Sequence, residues 1–278
     1  MKINLFDNNF RHVKNQLGFD AASHCRPKRM QWVRDNMCWD GATVFTDAMC
    51  FSENVKSVQT NLKVAWLMEP PSIYAASRSI RHVQDNFDLI LSYLSFEELG
   101  IKKEKYVWIP SGGTWVDPQD NVKKTKLASL IASSKNYAPG HQLRHQFAKA
   151  VEGKIDLLGN GYKKINDKSE GHNDYMFSVV IENERFPKFF SEKLLDCMLC
   201  KSIPVYWGAY DVNDIFDTRG ILSASNFDEL INIFENLNEN LYFSLLDSVN
   251  NNFEIAKRYA STDDIIYDII LEKIKEKK

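Results

Sequence analysis

Residues 175–208 hold the densest set of side chains able to do chemistry. An apolar run ends at Glu182-Asn183, a loop follows, and Ser191-Glu192-Lys193 opens an amphipathic stretch that leads into a second apolar run, 203–207, stopped by Gly208. If 191–200 is a helix, its first turn offers unpaired N–H groups and the positive end of a dipole, which suits phosphate. Lys193 adds a full positive charge there, against the usual preference for acids at that end. A plainer account fits the same residues: Ser191 caps the helix, Glu192 is a favourable first-turn acid, and Lys193 sits on a solvated face.

Several other chemistries are excluded. No G-x-x-x-x-G-K-[ST] loop, G-x-S-x-G elbow or H-E-x-x-H pair occurs. No Asp-x-Asp is present, so the usual carboxylate clamp for a metal-bound nucleotide diphosphate is missing. Gly159-Asn160-Gly161 follows an apolar run, but Lys163-Lys164 stand where a dinucleotide fingerprint needs its third glycine; an ordinary turn is an equal reading. Cys197-x-x-Cys200 falls in an apolar helical pattern with no second pair, so core packing is the simpler account. His141 and His145 stand at helical spacing, and the reading prefers a cationic, nucleotide-facing or solvated helix side to a metal pair.

The elements that must position these residues are short apolar runs alternating with amphipathic stretches. Residues 2–6, 43–46, 63–68, 87–93 and 106–110 read as buried strands, with a helix over 72–87. A second set, 126–133, 154–159, 176–183, 203–208 and 220–224, alternates with helices over 139–151, 190–200 and 211–216. Residues 226–278 are almost entirely helical in pattern. Between the sets, 111–121 combines Gly-Gly and Asp-Pro turn chemistry. Such alternation implies parallel sheets covered on both faces, hence two facing Rossmann-like domains with a cleft between them. Ligands in open parallel sheets bind beyond the carboxyl ends of the strands. Those positions hold Glu69, Ser111–Gly113, Gly159–Gly161, Glu182-Asn183 and Gly208.

The 278 residues suit two domains, and 35 Lys+Arg against 37 Asp+Glu argue against a protein built to hold a nucleic-acid backbone. No apolar run approaches the roughly 20 residues of a membrane span. The first 15 residues lack the apolar stretch of a signal peptide. The five cysteines, 25, 38, 50, 197 and 200, read as reduced thiols in apolar surroundings, and a cytoplasmic location is expected.

The 175–208 segment resembles the donor-binding signature of the α1,3-fucosyltransferase family, glycosyltransferase family 10, which reads roughly Y-K-F-x-x-x-F-E-N…Y-V-T-E-K-L-x-x-A…G-x-x-P-V-x-x-G. Tyr175, Phe177, Glu182, Asn183, Ser191, Glu192, Lys193, Leu194, Pro204, Val205 and Gly208 fall in place. Upstream, 138–159 is similar to the family's arginine-bearing helix and following strand, with Arg144 at the arginine. In the first half, Glu69-Pro70-Pro71-Ser72 is similar to F-E-S-P-S and 87–93 to F-N-W-T-L-S-Y.

The resemblance implies an α/β, GT-B fold with a helical C-terminus: an acceptor domain over 1–115 and a nucleotide-sugar donor domain over 116–278. It implies an inverting transfer of L-fucose from GDP-fucose to a glycan hydroxyl, with no metal or other cofactor required. Arg144 and Lys193 would then hold the diphosphate, Glu192 the ribose hydroxyls, and Asn183 and Ser191 would line the same pocket. Glu69 would be the catalytic base. The expected partners are the GDP-sugar and a glycan, with no nucleic acid. Two departures qualify this: Phe189 stands where the family has a tyrosine, and the first domain is short, without an anchor or stem. They keep open a different nucleotide-sugar donor, or a nucleotide-sugar or glycan binder without turnover.

Overall fold

The computed structural model describes residues 1–8 and 27–276. Cys25 lies outside them. The chain divides into two compact units, Met1–Gly113 with Ser261–Lys278, and Thr114–Ala260.

The first unit contains β1 (Lys2–Phe6), β2 (Gln31–Arg34), β3 (Cys38–Thr46), a turn of helix α1 (Asn54–Ser57), β4 (Gln59–Leu67), β5 (Leu89–Ser92), a second short helix α2 (Phe96–Leu99) and β6 (Tyr106–Trp108). The strands form one parallel sheet in the order β2-β1-β3-β4-β5-β6. Each of the five expected strands is present. The expected helix over 72–87 is instead a pair of 3-10 turns, Ala75–His82 and Gln84–Asn86. Serines 77 and 79 and the β-branched Ile80 and Val83 weaken an α-helix there, since hydroxyls compete for backbone groups and branched side chains crowd the preceding turn.

The second unit contains β7 (Lys126–Ile131), α3 (Pro139–Ala150), β8 (Asp156–Leu158), β9 (Tyr175–Ile181), α4 (Glu192–Leu199), β10 (Ile203–Trp207), β11 (Leu222–Ser223), α5 (Phe227–Glu235), α6 (Glu239–Ser244) and α7 (Leu246–Arg258). Its parallel sheet has the order β11-β10-β9-β7-β8. All of β9 is buried, as a central strand covered on both faces must be. The expected helix over 211–216 shrinks to a 3-10 turn, Val212–Asp214.

The sequence reading places the last described helix, α8 (Thr262–Glu276), at the tail of a second domain over 116–278. It belongs to the first unit, not to the second. Ile266 and Ile270 are fully buried in the same core as Ile3, Trp32, Val44, Val64 and Leu91. At its start, the Asp264 carboxylate accepts the Lys28 and Arg29 N–H groups, both at 3.1 Å. Arg29 also grips Asp268 with both terminal nitrogens, at 2.6 and 2.8 Å. These long-range contacts are invisible to a reading by composition, because the helix pattern of 226–276 runs on without a break strong enough to announce a change of partner.

In each sheet the chain reverses its direction of travel across the strands once: between β1 and β3 in the first, and between β7 and β9 in the second. Ligand crevices in such sheets form at that switch point, beyond the carboxyl ends of the strands.

Candidate functional site

At the switch point of the second sheet, β9 ends in Glu182-Asn183 and α3 begins beside it. The Gly140 N–H donates to the Asn183 carbonyl at 3.0 Å. A β-carbon on Gly140 would lie 1.7 Å from the Glu182 carbonyl oxygen, so only glycine lets the helix start so close to the strand end. One turn further on, Arg144 is 5% exposed; its Nε donates to the Ile181 carbonyl at 2.8 Å and its Nη2 to Asn183 Oδ1 at 2.7 Å. Two bonds fix the guanidinium plane and leave further N–H groups of the fork for a ligand. Burial lowers the Arg144 pKa, opposed by the charges of Glu182 and Glu192.

Glu182 is fully buried and acts as the keystone of the next layer. Its two oxygens accept the Ser191 N–H at 3.0 Å and the Ser191 hydroxyl at 2.6 Å. Ser191 is the N-cap of α4, its oxygen taking the Lys193 N–H at 3.4 Å. The Lys193 ammonium reaches Ser191 Oγ at 3.1 Å, Glu192 Oε1 at 2.9 Å and Glu182 Oε2 at 3.7 Å. Gly208 closes this pocket: a β-carbon there would lie 2.8 Å from Glu182 Cγ. Lys193 is thus not on a solvated face. Burial works against its charge, but Glu192 and Glu182 outweigh it and raise its pKa. Burial also disfavours charge on Glu192, yet Lys193 and Lys168 prevail and hold that carboxyl well below the usual range.

Lys168 lies 3.6 Å from Glu192 and 3.9 Å from Asp196, with its ammonium 4.9 Å over the Trp115 ring. Asp196 is buried and accepts the Trp115 N–H at 2.8 Å. Burial pushes its pKa up to about 7, with Lys168 pulling the other way. The result is an alternating set of cations and carboxylates around the first turn of α4, with Arg144 feeling the charges of Glu182 and Glu192. The arrangement can take a polyanion if two fixed cations face it and the carboxylates hold those cations in place.

Residues 121–252 match the model described as glycosyltransferase family 10 (fucosyltransferase), C-terminal part. That match lies within the second unit. The α-(1,3)-fucosyltransferase FucT of Helicobacter pylori is 28% identical over 155 residues, which are 52% of this chain and 31% of that relative. The chain thus spans less than a third of the curated relative it matches. A solved α1,3-fucosyltransferase superposes with a TM-score of 0.53 at 15% identity, covering 97% of this chain and 89% of the other. One solved with GDP-fucose gives 0.52 at 17%, covering 94% and 90%. Anabaena HepE in complex with UDP-glucose gives 0.57 at 12%, covering 84% and 78%. These likenesses are of fold, and the fold is GT-B: two Rossmann-like α/β units.

The family 10 match contains Arg144, Asn183, Ser191, Glu192 and Lys193, which the structure brings together around Glu182. Glu69 lies outside the match, in the first unit, two residues beyond β4; it is half-buried, and its N–H donates to Asp47 Oδ1 at 3.3 Å. Phe189, in place of the family 10 tyrosine, is buried, and its carbonyl accepts the Tyr206 hydroxyl at 3.3 Å.

Other expectations are corrected. His141 is buried, accepts the Ala138 N–H on Nδ1 at 3.2 Å, and is held neutral: burial, then Arg144, Lys135, Lys193 and His145, lower its pKa to about 4. It is therefore not a cationic face. His145 is engaged with the Tyr162 hydroxyl and the Lys135 carbonyl. Among the described residues no group of three or more His, Cys, Asp or Glu could hold a metal. Gly159 and Gly161 allow the loop after β8 to press on the Ala132-Ser133 backbone, where β-carbons would lie 2.5 and 2.8 Å away. Cys197 and Cys200 are buried in the core as expected, but Cys38 is exposed. Among the described residues no helix is long and apolar enough to cross a membrane.

Lys168, Asp196 and Trp115 were missed by the sequence reading. Asp196 had a signal: a lone acid four residues after Glu192 in an otherwise apolar helix face, the spacing of side-chain neighbours.

Proposed function

We propose that this chain is an inverting glycosyltransferase that moves a sugar, L-fucose from GDP-fucose, onto a hydroxyl of a glycan acceptor. The observation that carries the reading is the pair of fixed cations: Arg144, held by the Ile181 carbonyl and Asn183, and Lys193, 3.7 Å from the buried Glu182 carboxylate. As the bond from sugar to diphosphate breaks, negative charge builds on the leaving oxygens. Cations held in place beforehand stabilise that charge without reorganising. The Arg144 fork binds phosphate oxygens as a plane and Lys193 as a point charge. Asn183 holds Arg144 in register, and Ser191 holds Lys193 to Glu182. Glu192, kept ionised by Lys193 and Lys168, is available to accept the ribose hydroxyls. Glu69 takes the proton of the acceptor hydroxyl as that oxygen attacks the sugar carbon opposite the leaving group, which inverts it.

The family 10 match and the relative solved with GDP-fucose favour guanine and fucose. The likeness to HepE, solved with UDP-glucose, keeps a second donor in view. A thermal-shift series with GDP, UDP, ADP and their sugars tests the reading. GDP and GDP-fucose should raise the melting temperature most; at a hundredfold excess over the dissociation constant the gain is about 2.7 kcal/mol. Stabilisation by UDP-glucose alone would replace the donor, and stabilisation by none of them would overturn the reading.

A further inference from the structure

The second unit carries a further concavity, beyond the carboxyl ends of β10 and β11, that the reading above does not use. Its volume is about 220 Å³, below the roughly 300–1,000 Å³ of pockets that hold drug-sized ligands, so it has room for one sugar ring and not for a nucleotide. Arg185, Tyr210, Asn213, Thr218, Ser223 and Glu229 are among the residues that line it. Gly208 joins it to the phosphate pocket: the Gly208 carbonyl accepts the Arg185 Nε–H at 3.0 Å, while a β-carbon on Gly208 would press on Glu182.

Arg185 is the fixed point of this cleft. Its Nη1 donates to the Ser225 carbonyl at 2.9 Å, and its guanidinium lies 5.8 Å from the centre of the Trp207 ring and 5.9 Å from that of Tyr210. Two carbonyls and two aromatic faces hold the planar group in place. A mere tie between the two loops would need only the neutral carbonyl bonds, not a positive charge. Among the described residues no carboxylate forms an ion pair with Arg185, and its Nη2 bonds to none of them. Glu229, the acid of the cleft, is turned to the cap of α5: it accepts the Ser225 N–H at 2.8 Å, the Ser225 hydroxyl at 2.7 Å and the Asn226 side-chain amide at 2.9 Å. A guanidinium presented in this way suits a carboxylate, which can take two parallel bonds from it.

The remaining lining suits the rest of a sugar. Tyr210 is 65% exposed, and its ring offers an apolar, electron-rich face to the C–H groups of a pyranose. Thr218 and Ser223 add hydroxyls and Asn213 an amide, which can pair with ring hydroxyls. The negative charge of Glu229 at the rim favours a singly charged carboxylate over a phosphate dianion.

We propose that this cleft binds a uronic acid residue of the acceptor glycan, with the carboxylate on Arg185 and the ring on Tyr210. That the glycan is an acceptor rests on the function proposed above; that the cleft takes a sugar carboxylate does not.

NMR titration of wild type, Arg185→Gln and Tyr210→Ala with glucuronate, glucose and inorganic phosphate, each with and without GDP, tests the inference. Glucuronate should bind wild type about tenfold or more tighter than glucose, as a hydrogen bond to a charged group requires, and should shift the Tyr210 ring signals. Arg185→Gln should lose that preference. Tyr210→Ala, at an exposed side chain, should weaken both sugars alike with melting temperature and GDP affinity unchanged, so it tests the cleft even where Arg185→Gln is poorly folded. Equal binding of glucose and glucuronate, binding of neither, phosphate bound as tightly as glucuronate, or wild-type sugar affinities in Tyr210→Ala overturns the inference. Displacement of glucuronate by GDP would place the cleft in the donor site and overturn the acceptor assignment. If GDP binds and glucuronate does not, this inference alone fails; if glucuronate binds and GDP does not, the donor reading fails and the cleft stands as a site for an acidic sugar.

Discussion

Gly140 and Glu182 meet backbone to backbone, with no room for a single carbon atom between the helix start and the strand end. That contact sets where α3 begins and so where Arg144 stands one turn later. Gly140→Ala should force the two apart, costing about 1–3 kcal/mol of stability or more, and should weaken GDP binding because Arg144 moves with the helix. Calorimetric unfolding together with a GDP titration checks this. Wild-type values in both would show that the contact does not set the site.

Arg144→Ala and Lys193→Ala should each weaken GDP binding by about 1.5–3 kcal/mol, the size of a lost hydrogen bond to a charged group. Arg144→Lys should not restore it, because an ammonium cannot keep the Ile181 and Asn183 bonds and still present a fork. Isothermal titration with GDP decides the matter, and unchanged affinity in either alanine variant removes that residue from the grip.

If fixed cations hold the diphosphate as proposed, chelation should leave most GDP-fucose turnover intact. Complete loss with EDTA, restored by a divalent ion, would mean that a metal shares the work.

Glu69→Gln preserves shape and removes charge. Donor affinity should stay near wild type while transfer falls roughly 10²–10⁴-fold, the usual contribution of a positioned base. Lower stability with intact turnover per folded molecule would mark Glu69 as structural.

Asp196 predicts a pH dependence of stability. Its pKa is raised to about 7 by burial, whereas an unfolded aspartate ionises near 3.8. Between those values the unfolded chain has already released its proton and the folded one has not, so wild type loses stability as pH rises through that window. Asp196→Asn keeps an acceptor for the Trp115 N–H and removes the titration. The variant should therefore gain on wild type from acid to neutral pH, by at most about 4 kcal/mol, with no further gain above. Parallel melting curves would contradict the assignment.

Much of the second unit was legible because its signals are local. The apolar run of β9, the Ser191 cap and the Pro-Val strand that follows fix element type and order within 34 residues. What eluded the sequence acts at long range. Asp47 and Glu69 are 22 residues apart and meet only because β3 and β4 are neighbours in the sheet. Trp115 reaches Asp196 across 81 residues. Strand β2 was missed for a different reason: with four residues, ending in the charged Arg34, it is too short to show a period. The turns at Ala75–His82 show the limit of helical spacing as a guide where serines and branched residues weaken the helix itself.

The return of α8 to the first sheet bears on how the chain matures during synthesis. The second unit is continuous in sequence, from Thr114 to Ala260, and has every residue it needs before α8 is made. The first unit begins emerging earlier yet lacks Ile266 and Ile270 until the last helix is translated. Order of synthesis and order of completion are therefore reversed. The unit made first waits, with part of its apolar core uncovered, and that interval is when a chaperone or a neighbouring nascent chain would find it.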